Sequence, residues 1–298
     1  MTAAIGTLAK AGIGATSSVD KPLQFESESF SRKDEAYNGN ALRGTFSSSI
    51  ELVRDGIQRI DGVISLIPTA VELSTVLAWI LAGTPTGSGT VTYPLADTAL
   101  PTKYLSIDRV AQVFNYTGVA VDKATFSAAR GTNLKLDLDL VGQTETAASA
   151  GTFPVLTLDV TTLPFVLTDA ALTIGGTSVQ AFDVKLEINN HIDRDRYLFS
   201  KTLSAINRLD REINFSCNLP YGDYVAIYTA MTAGPTAVPV VLTFTVGGSV
   251  LTFTMPAVSV PKRTPNVPGR SEIILPWGGR ALKSGSTFEL TTTLNNGP

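Results

Sequence analysis

The sequence has few of the residues that most often carry chemistry. Its 298 residues include one cysteine, Cys217, and one histidine, His191. A lone cysteine cannot form an internal disulfide, so nothing indicates an oxidising compartment, and one Cys with one His is too little for a structural zinc site. The P-loop, G-x-G-x-x-G and G-x-S-x-G patterns are also missing, which removes the usual phosphate cradles and the nucleophile elbow. The sequence therefore predicts no enzyme, no cofactor and no metal site.

Charge is scarce too, and it has no basic surplus. Charged residues make up 16% of the chain and hydrophobic residues 44%, against roughly 25% charged in an average soluble domain. The net charge of −3 argues against a nucleic-acid binder, which needs a basic stripe to neutralise phosphates. No apolar run approaches the roughly 20 residues of a membrane helix, and the N-terminal MTAAIGTLAKAGIGATSSVDKP does not have the pattern of a signal peptide. A large surface with so few charges is typical of a protein that partners cover.

Alternating apolar and polar residues are abundant, and they predict a mainly β fold. Runs with this period of two are GTNLKLDLDLVG, AFDVKLEIN, VVLTFTVGGSVLTFTM and STFELTTTL. Gly247 and Gly248 separate two alternating stretches within the third run. A Gly-Gly pair in that position predicts a two-residue hairpin turn.

One stretch, TAVELSTVLAWILAG, has the period of a helix instead. Thr69 and Glu72 stand at capping-box spacing after Pro68, and Gly83 supplies a C-terminal stop. Its apolar residues follow the i, i+3, i+4, i+7, i+8 spacing of one helix face: Leu73, Val76, Leu77, Ile80 and Leu81. A short helix in a β-rich chain predicts a sandwich or barrel with a flanking helix.

Several landmarks occur twice in the same order, which predicts an internal duplication. IQRID at 57–61 resembles INRLD at 206–210, and each is followed by a short strand, a proline, a helical stretch and an Ala-Gly turn. The later landmarks are VDK at 121–123 with Gly131 and Gly142, and VPK at 260–262 with Gly269 and Gly279. The alternative is two unrelated β segments that share turn chemistry.

The duplication predicts four parts. Residues 1–24 form an extended N-terminal arm and residues 25–147 a first β domain. Residues 148–168, where AASAGTFPV breaks the pattern, form a linker, and residues 169–298 form a second β domain. The expected fold class is mainly β with short flanking helices, as tandem sandwich or barrel domains.

The chain has strand pairs and a Pro-bounded helix, followed by YTGVAVDKATFSAARGTNLKLDLDLVGQ and then VQAFDVKLEINNHIDRDRYLFS. This order bears a resemblance to one family, the tail tube proteins of long-tailed bacteriophages. It implies a structural virion protein of the tail, assembled in the host cytoplasm into stacked rings around a DNA conduit, with other tail proteins as partners and no cofactor. Single-domain members form hexameric rings, so a duplicated chain would close a ring from three copies with pseudo-sixfold symmetry. Six chains per ring is the alternative.

The charged run Asp193, Arg194, Asp195 and Arg196 is the candidate inter-subunit contact. Alternating signs on an extended segment would put both Asp on one side and both Arg on the other. Bidentate Arg–carboxylate bonds to a neighbouring subunit would then fix geometry. The alternative is an intrachain turn with surface salt bridges of little energetic weight.

Other functions remain open from the residues alone. His191 beside Asp193 and Asp195 would suit a hydrolase, and Asp137 with Asp139 on one strand face would suit a glycosidase. A loop histidine and a wet strand face are the favoured interpretations. Another self-assembling β protein, such as a sheath, pilus or capsid-decorating subunit, is the main functional alternative, and a carbohydrate-binding β domain is a further one.

Overall fold

The computed structural model describes residues 5–38, 50, 53–232 and 237–296, and it confirms the predicted mainly β fold class. Strands hold 53% of the chain and helices 9%. The strands are β1 (Lys10–Gly14), β2 (Lys21–Leu23), β3 (Phe25–Glu28), β4 (Ser31–Asn38), β5 (Val53–Leu66), β6 (Thr90–Pro94), β7 (Lys103–Asp108), β8 (Gln112–Ala129), β9 (Lys135–Gly142), β10 (Thr144–Ser149), β11 (Ala170–Ile174), β12 (Thr177–Val179), β13 (Asp183–Asn189), β14 (Glu212–Pro220), β15 (Ala237–Val246), β16 (Ser249–Ser259), β17 (Ile274–Ala281) and β18 (Thr291–Asn295). The helices are α1 (Ala70–Leu81) and α2 (Val225–Thr232), and 3-10 turns lie at Gly6–Leu8 and Leu167–Asp169.

The strands join into one antiparallel sheet in which β8 is the central strand. The first part of β8 pairs with β7 and β10, and its second part pairs with β9 and β13. A strand this long can serve two sets of neighbours because each residue adds about 3.3 Å to its length. β8 therefore links the N-terminal and C-terminal parts of the chain within a single sheet.

The same order of pairings occurs twice along the chain. In the first unit (residues 10–149) the hairpin β1–β2 pairs with β7, β7 with β8, β8 with β9 and β10, and β9 with β5. In the second unit (residues 170–295) β11–β12 pairs with β15, β15 with β16, β16 with β17 and β18, and β17 with β14. The helices α1 and α2 follow the corresponding strands β5 and β14. A tandem duplication would produce such an order, and the duplication stays a prediction.

Two local contacts also recur in matching places. The buried pair Leu66 and Leu136, where β5 meets β9, corresponds to Leu219 and Leu275, where β14 meets β17. The residue after each short strand of the N-terminal hairpins is a glutamine. Gln24 donates its backbone N–H to Glu72 Oε1 at the start of α1 over 2.7 Å, and the Gln180 N–H donates to the hydroxyl of Tyr224, just before α2, over 2.7 Å.

The two pentapeptides that suggested the duplication do not correspond. IQRID lies inside β5, whereas INRLD lies in the irregular segment before β14. Because Leu66 corresponds to Leu219, residues 57–61 match residues 210–214, and the predicted equivalence of the pentapeptides is wrong. A five-residue match is easily produced by chance, while a series of strand pairings is not. The second Ala-Gly turn, AGPT at 233–236, lies outside the described residues.

Helix α1 has the predicted start and a slightly different end. Thr69 and Glu72 form the capping box in both directions, and the five predicted face residues are all buried. The left-handed residue that ends the helix is Ala82 (φ 61°), not Gly83. Gly83 is needed for a different reason, because a Cβ there would stand 2.0 Å from the carbonyl oxygen of Pro94.

The predicted Gly-Gly turn is present, whereas the predicted division into arm, domains and linker stays a prediction. Gly247 (φ 53°) and Gly248 (φ 90°) form the tight turn between β15 and β16. The predicted N-terminal arm contains β1 and β2, whose residues Ala11, Ile13 and Leu23 are buried. The predicted linker region, from the end of β10 to Leu167–Asp169, has no strand.

Candidate functional site

Six neighbouring strands, β5, β9, β8, β13, β14 and β17, form a continuous surface that crosses both units. We call it the joined sheet. Successive side chains of a strand point to opposite faces, so each of these strands has a buried face and an open face. The buried face is apolar: Phe126, Leu136, Leu138, Val184, Leu186, Phe215 and Cys217. The open face of the four central strands is polar: Lys123, Thr125, Ser127, Lys135, Asp137, Asp139, Asp183, Lys185, Glu187, Glu212, Asn214, Ser216 and Asn218.

Two strand pairings join the units, β6 with β18 over five residue pairs and β8 with β13, and we call the second the seam. It runs over seven residue pairs, from Asp183 opposite Ala129 to Asn189 opposite Lys123. Glu187 forms ion pairs with Lys123 and, at 2.7 Å, with Lys185. The backbone ladder thus holds the two units in register, and a charged triplet holds the open face across the seam.

The lysines on the open face of these strands all have acidic partners. Besides the two that flank Glu187, Lys135 pairs with Glu26 at 3.2 Å. Burial tends to raise the pKa of Glu187, but hydrogen bonds from the two lysines outweigh it and leave that pKa below its ordinary value. The face is therefore polar, and its lysines are ion-paired, so these residues form no row of unpaired cations.

Arg194, from the candidate charged run, lies at the edge of this face and binds its own chain. Its guanidinium donates to Asp122 Oδ2, with Nε at 2.9 Å, and to Asp139 Oδ2 at 3.2 Å. Asp122 is 7% exposed, and its other carboxylate oxygen accepts the N–H of Ile192 over 2.7 Å. Burial raises the pKa of Asp139, and Arg194 opposes that rise. Arg194 therefore fastens the segment after β13 to β8 and β9 of the first unit.

The other three residues of the run do not form the predicted alternating strip. Arg194 and Asp195 lie in a turn, so the expectation of an extended segment is wrong. Asp195 pairs with Arg59 of β5 at 3.0 Å, and Asp193 accepts the N–H of Asp195 over 3.1 Å. Arg196 is different, because its Nε is buried and has no hydrogen-bond partner among the residues that the structure describes. An inter-subunit role for these four residues stays a prediction.

The candidate catalytic residues do not assemble into a reactive group. His191 Nε2 lies 3.7 Å from Glu212 Oε2, not beside the aspartates of the charged run. Asp137 accepts a hydrogen bond from the Ser65 hydroxyl at 2.5 Å, while Asp139 is bound by Arg194. Across the described parts of the chain, no cluster of three or more His, Cys, Asp or Glu side chains has the geometry to hold a metal ion. Within the same parts, neither helix has the length and apolar character needed to cross a membrane.

The sequence did not single out the residues of the seam. Lys185 and Glu187 stand in AFDVKLEIN, where the period of two already puts them on one open face. That signal identifies the face of a strand but not the strand beside it. The partner Lys123 lies more than 60 residues away along the chain, and its proximity follows only from the pairing of β8 with β13.

Comparison with known families agrees with this architecture. The family model for the phage tail tube protein matches residues 5–281, nearly the whole chain. The chain belongs to the phage tail tube family. It is a structural protein of the bacteriophage virion, located in the tail, and members of this family assemble with themselves and with other tail proteins. No curated protein matches the chain as a relative.

Proposed function

We propose that this tail tube protein closes rings of three chains, and that stacked rings form the conduit through which the genome leaves the virion. The proposal includes a tandem duplication, with the units at residues 10–149 and 170–295 and a linker between them. The repeated order of strand pairings supports it. Assembly in the host cytoplasm and non-specific passage of DNA belong to the same proposal.

The observation that carries the ring is the seam between β8 and β13. It joins the two units side by side in one sheet. The first unit also has an edge like the β13 side of this seam, and the second unit has an edge like the β8 side, so neighbouring copies can form the same pairing. In the first unit β9 lies between β5 and β8 over its whole length. In the second unit β17 pairs with β14 throughout but meets β16 only at Arg280 and Ala281.

Most of β17 does not pair with β16, and the segment after β16 matches the part of β8 that forms the seam. Because Leu136 corresponds to Leu275, residues 262–268 match residues 123–129, the part of β8 that forms the seam. Residues 262–268 are irregular and mostly exposed in the single chain. At the other end, β4 pairs with β5 alone among the described strands. An unpaired edge is an aggregation hazard unless a partner covers it, and a second copy covers both edges at once.

A closed ring follows from repeating the seam between chains. If the ring has six units, as the resemblance to single-domain members with hexameric rings implies, each step between units is a rotation of about 60°, and two units per chain give three chains. The alternative of six chains would require each chain to contribute one unit, which the twofold order of pairings disfavours.

The polar open face of the joined sheet suits the wall of the channel. A conduit has to let DNA slide, and a row of unpaired cations would bind phosphates through counterion release. Glu187 forms ion pairs with the two lysines beside it, so neither of them is an unpaired cation. Glu187→Lys should therefore give tubes that retain double-stranded DNA at low salt, whereas wild-type tubes release it. Asp223→Lys, which makes the same charge change in the turn before α2, is the control; retention by both variants or by neither would refute this orientation of the face.

The ring itself is tested by native mass spectrometry and electron microscopy of the purified protein. Three chains of 31.5 kDa give an assembly of about three times that mass. We expect this species, and tubes with threefold symmetry and a pseudo-sixfold outline. A persistent monomer, or rings of six chains, would count against the proposal.

A further inference from the structure

The residues just before β11 contact both units and connect them by packing and hydrogen bonding. Phe165 is fully buried, and its carbonyl oxygen accepts the N–H of Leu134 over 2.7 Å. Its ring meets Phe244 of the second unit edge-on, with centroids 6.2 Å apart. The next residue, Val166, forms an antiparallel bridge with Asn133 of the first unit. This short stretch therefore adds one more rung beside the turn between β8 and β9.

The residues just before β1 have the same local form, but within the described ranges they form no bridge like that of Val166 with Asn133. A 3-10 turn at Gly6–Leu8 precedes β1 as the turn at Leu167–Asp169 precedes β11. By this register Ile5 matches Val166. Yet Ile5 is 55% exposed and Leu8 is 58% exposed. Val166 is half-buried and bridged to Asn133, so the exposure of Ile5 at the matching position indicates that something else covers it, and the exposed Leu8 lies beside it.

The second unit contains the residues that match Asn133 and Leu134, which bind the linker in the first unit. By the register that pairs Leu136 with Leu275, residues Glu272 and Ile273 match Asn133 and Leu134. The carbonyl oxygen of Ile273 accepts the N–H of Tyr221 over 3.0 Å. The N–H of Ile273 has no acceptor in the described part of the chain, whereas the matching Leu134 N–H is bound by the linker.

We propose that the segment around Ile5 of one copy docks beside Glu272 and Ile273 of the neighbouring copy, forming the rung that the linker forms inside each chain. This inference rests on the proposed ring and adds its fastening: the N-terminal segment does between chains what the linker does within them. Ile5 lies opposite Glu272, the free Ile273 N–H gains an acceptor, and the apolar side chains of Ile5 and Leu8 become covered.

A disulfide cross-link tests this arrangement directly. Residues opposite each other in an antiparallel bridge have Cα atoms roughly 4.5–5.5 Å apart, within the range a disulfide spans. The variant Ile5→Cys with Glu272→Cys should give covalent dimers and trimers on non-reducing gels after mild oxidation under assembly conditions. The matched control is Asn133→Cys with Val166→Cys, which should oxidise within one chain and run as a monomer. The native Cys217 is buried and 2% exposed, so it should not interfere.

The outcomes separate this inference from the ring. Covalent trimers from the first variant support the docking. Rings by native mass spectrometry without any inter-chain cross-link overturn the docking and leave the ring intact. A wild-type chain that forms no ring overturns the proposed function and this inference with it.

A second variant uses no cross-link. Ile5→Asp with Leu8→Asp changes two exposed side chains, so the monomer should keep its circular dichroism and melting temperature. We expect the protein concentration at which half the chains are assembled to rise about tenfold or more, since each apolar side chain buried at an interface contributes on the order of a tenfold effect. Unchanged assembly by this variant would contradict the docking.

Discussion

Replacing Arg194 by Met tests whether this residue fastens the chain to itself. The substitution keeps most of the aliphatic stem and removes the donors that bind Asp122 and Asp139. The Asp122 side chain is 10% exposed, so its carboxylate would remain buried with one remaining hydrogen bond, from the N–H of Ile192. Losing one partner of a buried ion pair costs roughly 3–5 kcal/mol.

The expected loss is somewhat smaller here, because the Arg194 side chain is 36% exposed. Water can therefore replace part of the hydrogen bonding that Arg194 gives to the carboxylates. We expect the free energy of unfolding to fall by about 2–3 kcal/mol. With a urea m-value of about 3 kcal/mol/M for a chain of this size, the midpoint should fall by roughly 0.8 M. The measurement is urea unfolding followed by Trp fluorescence, at a concentration where light scattering reports monomers.

Arg196→Met is the matched control. It removes the same functional group two residues away, where the guanidinium Nε has no hydrogen-bond partner in the described part of the chain, so the midpoint should stay within about 0.1 M of wild type. Equal midpoints for the two variants would refute the assignment of Arg194. Arg196→Glu then tests the inter-subunit role separately, since a folded monomer that cannot assemble is expected if Arg196 meets a carboxylate of a neighbouring copy.

Three further predictions concern the ionised and tightly packed residues of the fold. The pKa of Glu187 is lowered in the folded chain, so its ion pairs stabilise the fold at pH values above the ordinary glutamate pKa, and this stabilisation is lost as the pH falls through the folded pKa. Glu187→Gln should therefore lose less stability than wild type between pH 7 and pH 3, with a difference in the free energy of unfolding of under about 1 kcal/mol. Superimposable pH profiles would argue against the triplet. Gly83→Ala should lower the free energy of unfolding by about 1–3 kcal/mol because its Cβ would meet the backbone of Pro94, whereas Gly222→Ala, with nothing within 4 Å, should be neutral in the same urea titration. The backbone N–H groups of Gln24 and Thr69 each donate to one carboxylate oxygen of Glu72. Glu72→Gln leaves one of these two donors without an acceptor and should lower the free energy of unfolding by about 1–3 kcal/mol. A thermal melt that matches wild type would show that water replaces the carboxylate.

Local structure in this protein could be derived from the sequence alone. The start of α1 at Thr69, its buried face and the Gly247–Gly248 turn depend on residues within one or two helical turns or strand steps of each other. Capping, periodicity and turn chemistry act over that range, so the sequence displays them directly. The order of elements also repeats clearly enough to predict a duplication, although the pentapeptides that first suggested it lie in different places.

Tertiary structure decided which distant residues meet. The pairing of β8 with β13 brings Lys123 beside Glu187, and the turn after β13 brings Arg194 onto Asp122. A strand's alternation specifies its two faces but not its neighbour, because backbone hydrogen bonds are the same for every strand pair. The choice of neighbour depends on the packing of the whole core, and this is why the sequence left the charged run at 193–196 open between an inter-subunit strip and an intrachain turn, while the fold pairs Arg194 and Asp195 with residues of the first unit.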